Sequence, residues 1–96
     1  MAGDSETMNR YVLTCNNWTQ SDLESLLRIP AVFLIVGFEK TQTGIPHIQA
    51  YIETEKGWPY LRRSLARYYF APAKGTREQN IKYCSKGGQH LIFPES

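Results

Sequence analysis

The segment AVFLIVGFEK-TQTGIP-HIQAYIE, residues 31–53, decides the architecture. Two runs rich in β-branched and aromatic residues flank a turn at Thr41–Pro46. They predict an antiparallel hairpin pairing Ala31–Lys40 with His47–Glu53. Side chains alternate across a strand. Leu34, Val36 and Phe38 therefore share one face of the first run, and Ile48, Ala50 and Ile52 one face of the second. These apolar sets call for a helical cover. The opposite face carries Ile35, Gly37 and Glu39 from one strand and His47, Gln49, Tyr51 and Glu53 from the other. Near the turn this brings a carboxylate, an imidazole and an amide carbonyl within reach of one point on an open face.

Outward from the hairpin, Arg10–Cys15 is rich in β-formers and predicts a strand that stops at the turn signal Asn16-Asn17. Thr19 or Ser21 can cap a short helix through Leu27, and Pro30 ends that segment. Gly57–Pro59 opens a helix to about Ala66, with Leu61 and Leu65 on one face. Tyr68–Ala71 predicts a further strand. Thr76 and Gln79 form the outline of a capping box for a helix through Tyr83 or Lys86, which Gly87-Gly88 terminates. Leu91–Phe93 returns as an edge strand. The order β-α-β-β-α-β-α-β predicts an α+β fold, an antiparallel sheet with helices packed mainly on one face. Residues 1–9 read as a loose polar leader and residues 10–96 as a single domain.

Ninety-six residues suffice for one modest core. No apolar run approaches the roughly 18–20 residues of a membrane span, so no membrane partner is expected. The two cysteines, Cys15 and Cys84, stand in no C-x-x-C pattern, which argues for free thiols rather than a disulfide framework or a zinc site. The net charge of +2 hides a strong asymmetry. Lys56 to Lys86 holds eight basic residues and one acid, a net of +7, whereas residues 1–55 hold three basic and seven acidic groups, a net of −4. A one-sided basic stretch suits a phosphate backbone, although a solvated helix face has the same composition.

The Glu39, His47 and Gln49 set mixes oxygen and nitrogen donors, a combination that favours Mg²⁺ or Mn²⁺ over zinc. On the following helix Gln79, Tyr83 and Lys86 fall on one face, while Ile81 and Cys84 can pack inward. A tyrosine with a lysine one turn later is a candidate activated nucleophile. Forming phenolate at neutral pH from a free phenol of pKa near 10 costs about 4 kcal/mol. A nearby ammonium and a metal-polarised phosphate can offset part of that. Taken singly, His47 also reads as an ordinary strand histidine and Tyr83 as an amphipathic, half-buried tyrosine.

Three segments, in order, resemble the motifs of the HUH-type replication initiator (Rep) endonucleases of circular single-stranded DNA viruses, most closely the circovirus members. Val12-Leu13-Thr14-Cys15-Asn16-Asn17 is similar to the first motif, Pro46-His47-Ile48-Gln49 to the second, and Tyr83-Cys84-Ser85-Lys86 to the third, Y-x-x-K. The likeness spans about Arg10 to Gly88. It implies a five-stranded antiparallel sheet related to RNA-recognition and ferredoxin-like folds. It further implies that Tyr83 attacks a phosphate in an origin stem-loop, leaving a 5′-phosphotyrosyl link and a 3′-OH that primes rolling-circle replication, and that the link is later reversed to rejoin DNA. His47, Gln49 and Glu39 would be the metal ligands, and Lys86 would position or neutralise the phosphate. Thr14, Asn16 and Asn17 would contribute to DNA recognition, with turn formation the plainer role for the two asparagines.

Arg62, Arg63 and Lys74 in the basic half, Gln79 beside the tyrosine, and the stacking candidate Tyr68 (with its neighbour Tyr69) complete the expected DNA contacts. Leu13 and Cys15 depart from the usual FTLNN, and Gln49 replaces the second histidine of the HUH name. Full-length members continue into a helicase domain. No G-x-x-x-x-G-K-[ST] occurs here, so ATP hydrolysis is not expected and the chain reads as an isolated, monomeric nuclease domain; the resemblance implies action in the host nucleus. The rival reading is a non-catalytic single-strand binding module of RNA-recognition type, which accounts for the sheet and the basic half. It lacks the K/R-G-F/Y-G/A-F-V-x-F/Y run and leaves the Glu39, His47, Gln49 convergence unexplained. A metal nuclease that uses water would need more carboxylates near the site.

Overall fold

The computed structural model describes residues 8–94. Most of the expected leader lies outside the described residues, and Asn9 already belongs to the first strand. The elements in chain order are β1 (Asn9–Asn16), α1 (Gln20–Leu27), β2 (Phe33–Lys40), β3 (Pro46–Thr54), α2 (Trp58–Ser64), β4 (Tyr69–Pro72), α3 (Arg77–Cys84) and β5 (Gln89–Phe93). The five strands form one antiparallel sheet in the order β4-β1-β3-β2-β5. The fold is α+β, as expected.

Local signals account for most boundaries. Thr19 caps α1 in a reciprocal box with Asp22, and Thr76 caps α3 in the same way with Gln79. Pro59 sits in the first turn of α2, where its missing N–H has no helical partner to lose. The β2–β3 turn closes with Thr41 N–H donating to the Ile45 carbonyl at 2.9 Å, and Gly44 supplies the left-handed residue, φ +87°. β2 begins at Phe33, two residues later than expected, because Ala31 and Val32 are exposed ahead of the sheet.

One face of the sheet carries the larger core. Leu13, Cys15, Leu34, Val36, Ile48, Ala50 and Ile52 pack there against Leu26 of α1 and Leu61 of α2. Each such fully buried aliphatic side chain contributes about 1.5–3 kcal/mol of burial. The other face is not uniformly open. α3 lies on it and closes a second cluster of Phe33, Ile35, Tyr51 and Cys84, with Val12, Ile81 and Ile92 at its margin. Two helices therefore cover one face and the third covers part of the other. What stays accessible on that second face is its hairpin end, beside the C-terminus of α3.

Candidate active site

Register builds the site. Glu39 pairs with His47 across β2 and β3, and Gln49 pairs with Gly37 on one side and Thr14 on the other. Asn16 pairs with His47. Alternation then sends Thr14, Asn16, Glu39, His47 and Gln49 to the same face. The His47 Nε2 atom lies 3.2 Å from Glu39 Oε1, and the Thr14 hydroxyl donates to Gln49 Oε1 at 3.4 Å. Both Glu39 and His47 are largely shielded, with side chains 12% and 16% exposed, so electrostatic interactions at this patch are poorly screened by water.

α3 brings the tyrosine to this patch, and two glycines permit the approach. A Cβ on Gly37 would stand 1.8 Å from the Cys84 carbonyl oxygen, and one on Gly87 would stand 2.8 Å from Glu39 Cγ. A glycine inside a strand marks such close backbone contact. Ile81 and Cys84 pack into the second cluster, which turns Tyr83 outward, half exposed. The Lys86 ammonium lies 3.9 Å from the centre of the Tyr83 ring and donates to Glu39 Oε2 at 2.7 Å. Tyr83, Lys86, Glu39 and His47 thus form one continuous chain of contacts.

The far end of α3 is pinned by a network that the sequence did not announce. Glu53, 7% exposed, accepts from both Arg77 Nε, at 2.8 Å, and Arg77 Nη2, and also from the Tyr51 hydroxyl at 2.7 Å. Arg10 donates to the Tyr51 hydroxyl at 3.2 Å and to the Gly75 carbonyl at 2.9 Å. The Arg77 hydrogen bonds hold the Glu53 carboxyl below the usual carboxylate range, against the opposing effect of burial. Burial, reinforced by the Glu53 carboxylate, pushes the Tyr51 phenol up to about 12. Burial likewise raises the Cys84 thiol to about 11, so this cysteine packs the helix rather than reacting. The only residue-level hint of the anchor was an acid, Glu53, set among apolar neighbours in β3.

Among the described residues no three His, Cys, Asp or Glu side chains gather at one point. The Gln49 amide oxygen, on the same face, is a further oxygen donor beside Glu39 and His47. The buried Nδ1 of His47 has no hydrogen-bond partner. An imidazole with one nitrogen on a carboxylate and the other unpaired is not satisfied by the protein alone. A carboxylate, an imidazole and an amide oxygen suit a hard divalent cation that keeps part of its water shell. The residues fit Mg²⁺ or Mn²⁺.

The chain is 38% identical over 88 residues to the Replication-associated protein of Beak and feather disease virus, covering 86% of the chain and 30% of that protein. It is 35% identical over 88 residues to the Replication-associated protein of Pigeon circovirus, covering 86% of the chain and 28% of that protein. For the same-named protein of Porcine circovirus 2 the identity is 33% over 90 residues, covering 86% of the chain and 29% of that protein. The chain is a circovirus-like Rep domain. It spans about three tenths of the length of the curated relatives it matches. No protein-family model matches it.

The other residues singled out in this Rep domain have mixed fates. Tyr68 is not available for stacking: it is 7% exposed in the larger core, and its hydroxyl donates to the Asp22 carbonyl at 2.9 Å. Burial raises its phenol pKa. The strand begins one residue later than expected, and Tyr69, 74% exposed, pairs with Thr14 and so lies on the site face. Asn17 is a turn residue, φ +53°, whose N–H donates to the Pro46 carbonyl at 2.7 Å. Gln79 uses its side-chain oxygen to cap α3, accepting from Thr76 N–H at 2.8 Å.

Arg62 and Arg63 ride on α2, across the sheet from Tyr83. Arg62 nevertheless lines a cleft of about 410 Å³ shared with Trp58 and Tyr69 at the β4 edge. Lys74 is exposed on the β4–α3 loop, whose shape Asn80 fixes by donating to the Lys74 carbonyl at 2.9 Å. Part of the basic half is internally neutralised. Arg67 meets Asp22, Arg77 meets Glu53, and Lys86 meets Glu39. Arg67 also donates to the Asn16 and Asn17 carbonyls, each at 3.2 Å, and so stiffens the end of β1 beside the site.

Proposed function

We propose that this domain nicks and rejoins single-stranded DNA at a viral replication origin, with Tyr83 as the nucleophile. The observation that carries the reading is the bridge made by Lys86. Its ammonium lies 3.9 Å from the Tyr83 ring centre and 2.7 Å from Glu39, which in turn contacts His47 at 3.2 Å. Residues distant in sequence thereby join a nucleophile to a candidate cation site.

In the proposed reaction the Tyr83 phenolic oxygen bonds to phosphorus as the bond from phosphorus to the 3′-oxygen breaks. The phenol gives up its proton to solvent, and the departing 3′-oxygen takes one up. The products are a 5′-phosphotyrosyl ester and a free 3′-OH. Attack of a 3′-OH on that ester reverses the exchange and joins the strand. Lys86 offers its positive charge to the phosphate oxygens as negative charge accumulates there. Glu39, His47 and Gln49 would hold Mn²⁺ or Mg²⁺, which when bound supplies Lewis-acid polarisation of the phosphate. Thr14 orients the Gln49 amide, and Arg67 fixes the strand end that carries Asn16. Tyr69 offers an exposed ring to a base.

The test is incubation with Mn²⁺ and an origin-type stem-loop oligonucleotide, followed by a denaturing gel. The expected product is a protein–DNA adduct that survives SDS and is absent from Tyr83→Phe. Tight binding with neither cleavage nor adduct would favour a non-catalytic single-strand binding module instead.

A further inference from the structure

Glu39 and Lys86 also line a second concavity, an open cleft of about 680 Å³ shared with Trp18, Phe38, Lys40 and Pro46. Tyr83 is not among its walls. The Trp18 indole packs on Phe38, ring centres 5.4 Å apart at 47°, and both are only partly buried against the core. The ring is therefore held in place yet keeps an accessible surface. The cleft volume falls within the ~300–1,000 Å³ of small-ligand sites. Its lining combines an aromatic surface and a proline with the Lys40 ammonium and the Lys86 ammonium, the latter paired with the Glu39 carboxylate in the same wall.

A nucleotide matches that combination: an apolar, polarisable base face and an anionic phosphate. We propose that this cleft is a nucleotide subsite. It seats one unstacked base, next to the phosphate that reacts at Tyr83, against the Trp18 indole, with Lys40 drawing in the neighbouring phosphate. Lys86 and Glu39 belong both to the cleft and to the contact chain that ends on Tyr83, so the cleft adjoins the site around the hairpin end of the sheet, with Trp18 and Phe38 forming its wall on the helix-covered side. Gln89, at the start of β5, also lines the cleft and supplies an amide able to bond a base edge. The inference rests on single-stranded DNA being the ligand of the neighbouring site.

The experiment measures affinity by fluorescence anisotropy in a Tyr83→Phe background, so that no covalent step intervenes. The probes are a labelled circovirus-type origin stem-loop and a series carrying one abasic site at successive loop positions. Stacking on an aromatic residue predicts that one abasic position next to the reacting phosphate weakens binding roughly 5- to 100-fold. The same substitution should have no further effect when Trp18→Leu is also present. Lys40→Gln should weaken binding a few-fold at every position, with a shallower salt dependence. If Trp18→Leu does not fold, 2-aminopurine placed at each loop position serves instead. Quenching on binding in a Tyr69→Ala background, at the position where base loss costs most, supports the subsite.

Abasic effects that are unchanged by Trp18→Leu in a folded protein, no quenched position, or no oligonucleotide binding at all would overturn the proposal. Failure of the nickase reading appears separately. A Trp18-coupled position with no Tyr83-dependent adduct in the otherwise unaltered protein would leave the subsite standing and remove the nucleophile.

Discussion

Replacing Gly37 with alanine adds one methyl group where α3 leaves no room. The new Cβ would lie 1.8 Å from the Cys84 carbonyl oxygen, 2.9 Å from its carbon and 3.3 Å from the Gln49 carbonyl oxygen. Ordinary carbon-to-oxygen contacts are about 3.3–3.6 Å, so the end of α3 must lift by roughly 1.5 Å. The clashing atoms are backbone and cannot swing aside. Overpacking of this kind costs about 1–3 kcal/mol, against which the stiffer unfolded chain returns about 0.4–1 kcal/mol. A net loss near 1–2 kcal/mol lowers Tm by about 5–15 °C in a domain of this size. Tyr83 and Lys86 flank the displaced carbonyl in sequence and move with it. A misplacement of about 1 Å can lower a positioned reaction about 100-fold. Gly37→Ala is therefore expected to melt earlier and to form adduct about 100-fold more slowly in single-turnover gels, with oligonucleotide affinity reduced far less. Adduct formation at the unaltered rate would refute the reasoning, because close seating of the helix could not then be what positions the nucleophile.

His47→Ala should abolish nicking while retaining most oligonucleotide affinity by anisotropy, since phosphate contacts elsewhere supply binding; joint loss would mean that the imidazole is structural. Tyr69→Ala should weaken single-strand binding several-fold at unchanged Tm. Tyr68→Phe should lower stability by about 1 kcal/mol at unchanged affinity, because it removes only the bond to the Asp22 carbonyl. Glu53→Gln should cost about 2 kcal/mol in denaturant titrations, less than the ~3–5 kcal/mol of a fully buried pair because Arg77 is half exposed. The Glu53 carboxyl is depressed in the fold, so its stabilisation is complete above the unfolded carboxylate range, about 4.3, and is lost as pH falls through the lower folded value. The unaltered protein should therefore lose stability below about pH 4.3 more steeply than Glu53→Gln; parallel pH profiles would remove Glu53 from the account.

The hairpin was the most legible part of the molecule. Strict alternation placed Glu39, His47 and Gln49 on one face near the turn, and the observed register adds the direct pairing of Glu39 with His47. The capping box at Thr76 was equally readable, and Thr19 stood as one of two candidate caps for α1, because caps are local chemistry. The cover over the second face was not. Ile35 and Tyr51 lay on the supposedly open side beside Gly37, and that pattern of apolar residues around a strand glycine was the available signal for a helix in close contact. Of the two adjacent stacking candidates, Tyr68 is buried in the core and Tyr69 is exposed, a choice set by the pairing of Tyr69 with Thr14, which composition along the chain does not fix. Charge along the chain overstated the free positive surface, since Arg67, Arg77 and Lys86 find carboxylates that lie far away in sequence.

Mapping the covalent link speaks most directly to the central claim. The SDS-stable adduct formed with Mn²⁺ and an origin-type oligonucleotide is trimmed with nuclease, digested with protease and analysed by mass spectrometry. The account predicts a 5′-nucleotide mass on the peptide containing Tyr83, attached to that tyrosine alone. A nucleotide on Tyr69 or another residue, or cleaved DNA with no modified peptide, would contradict it.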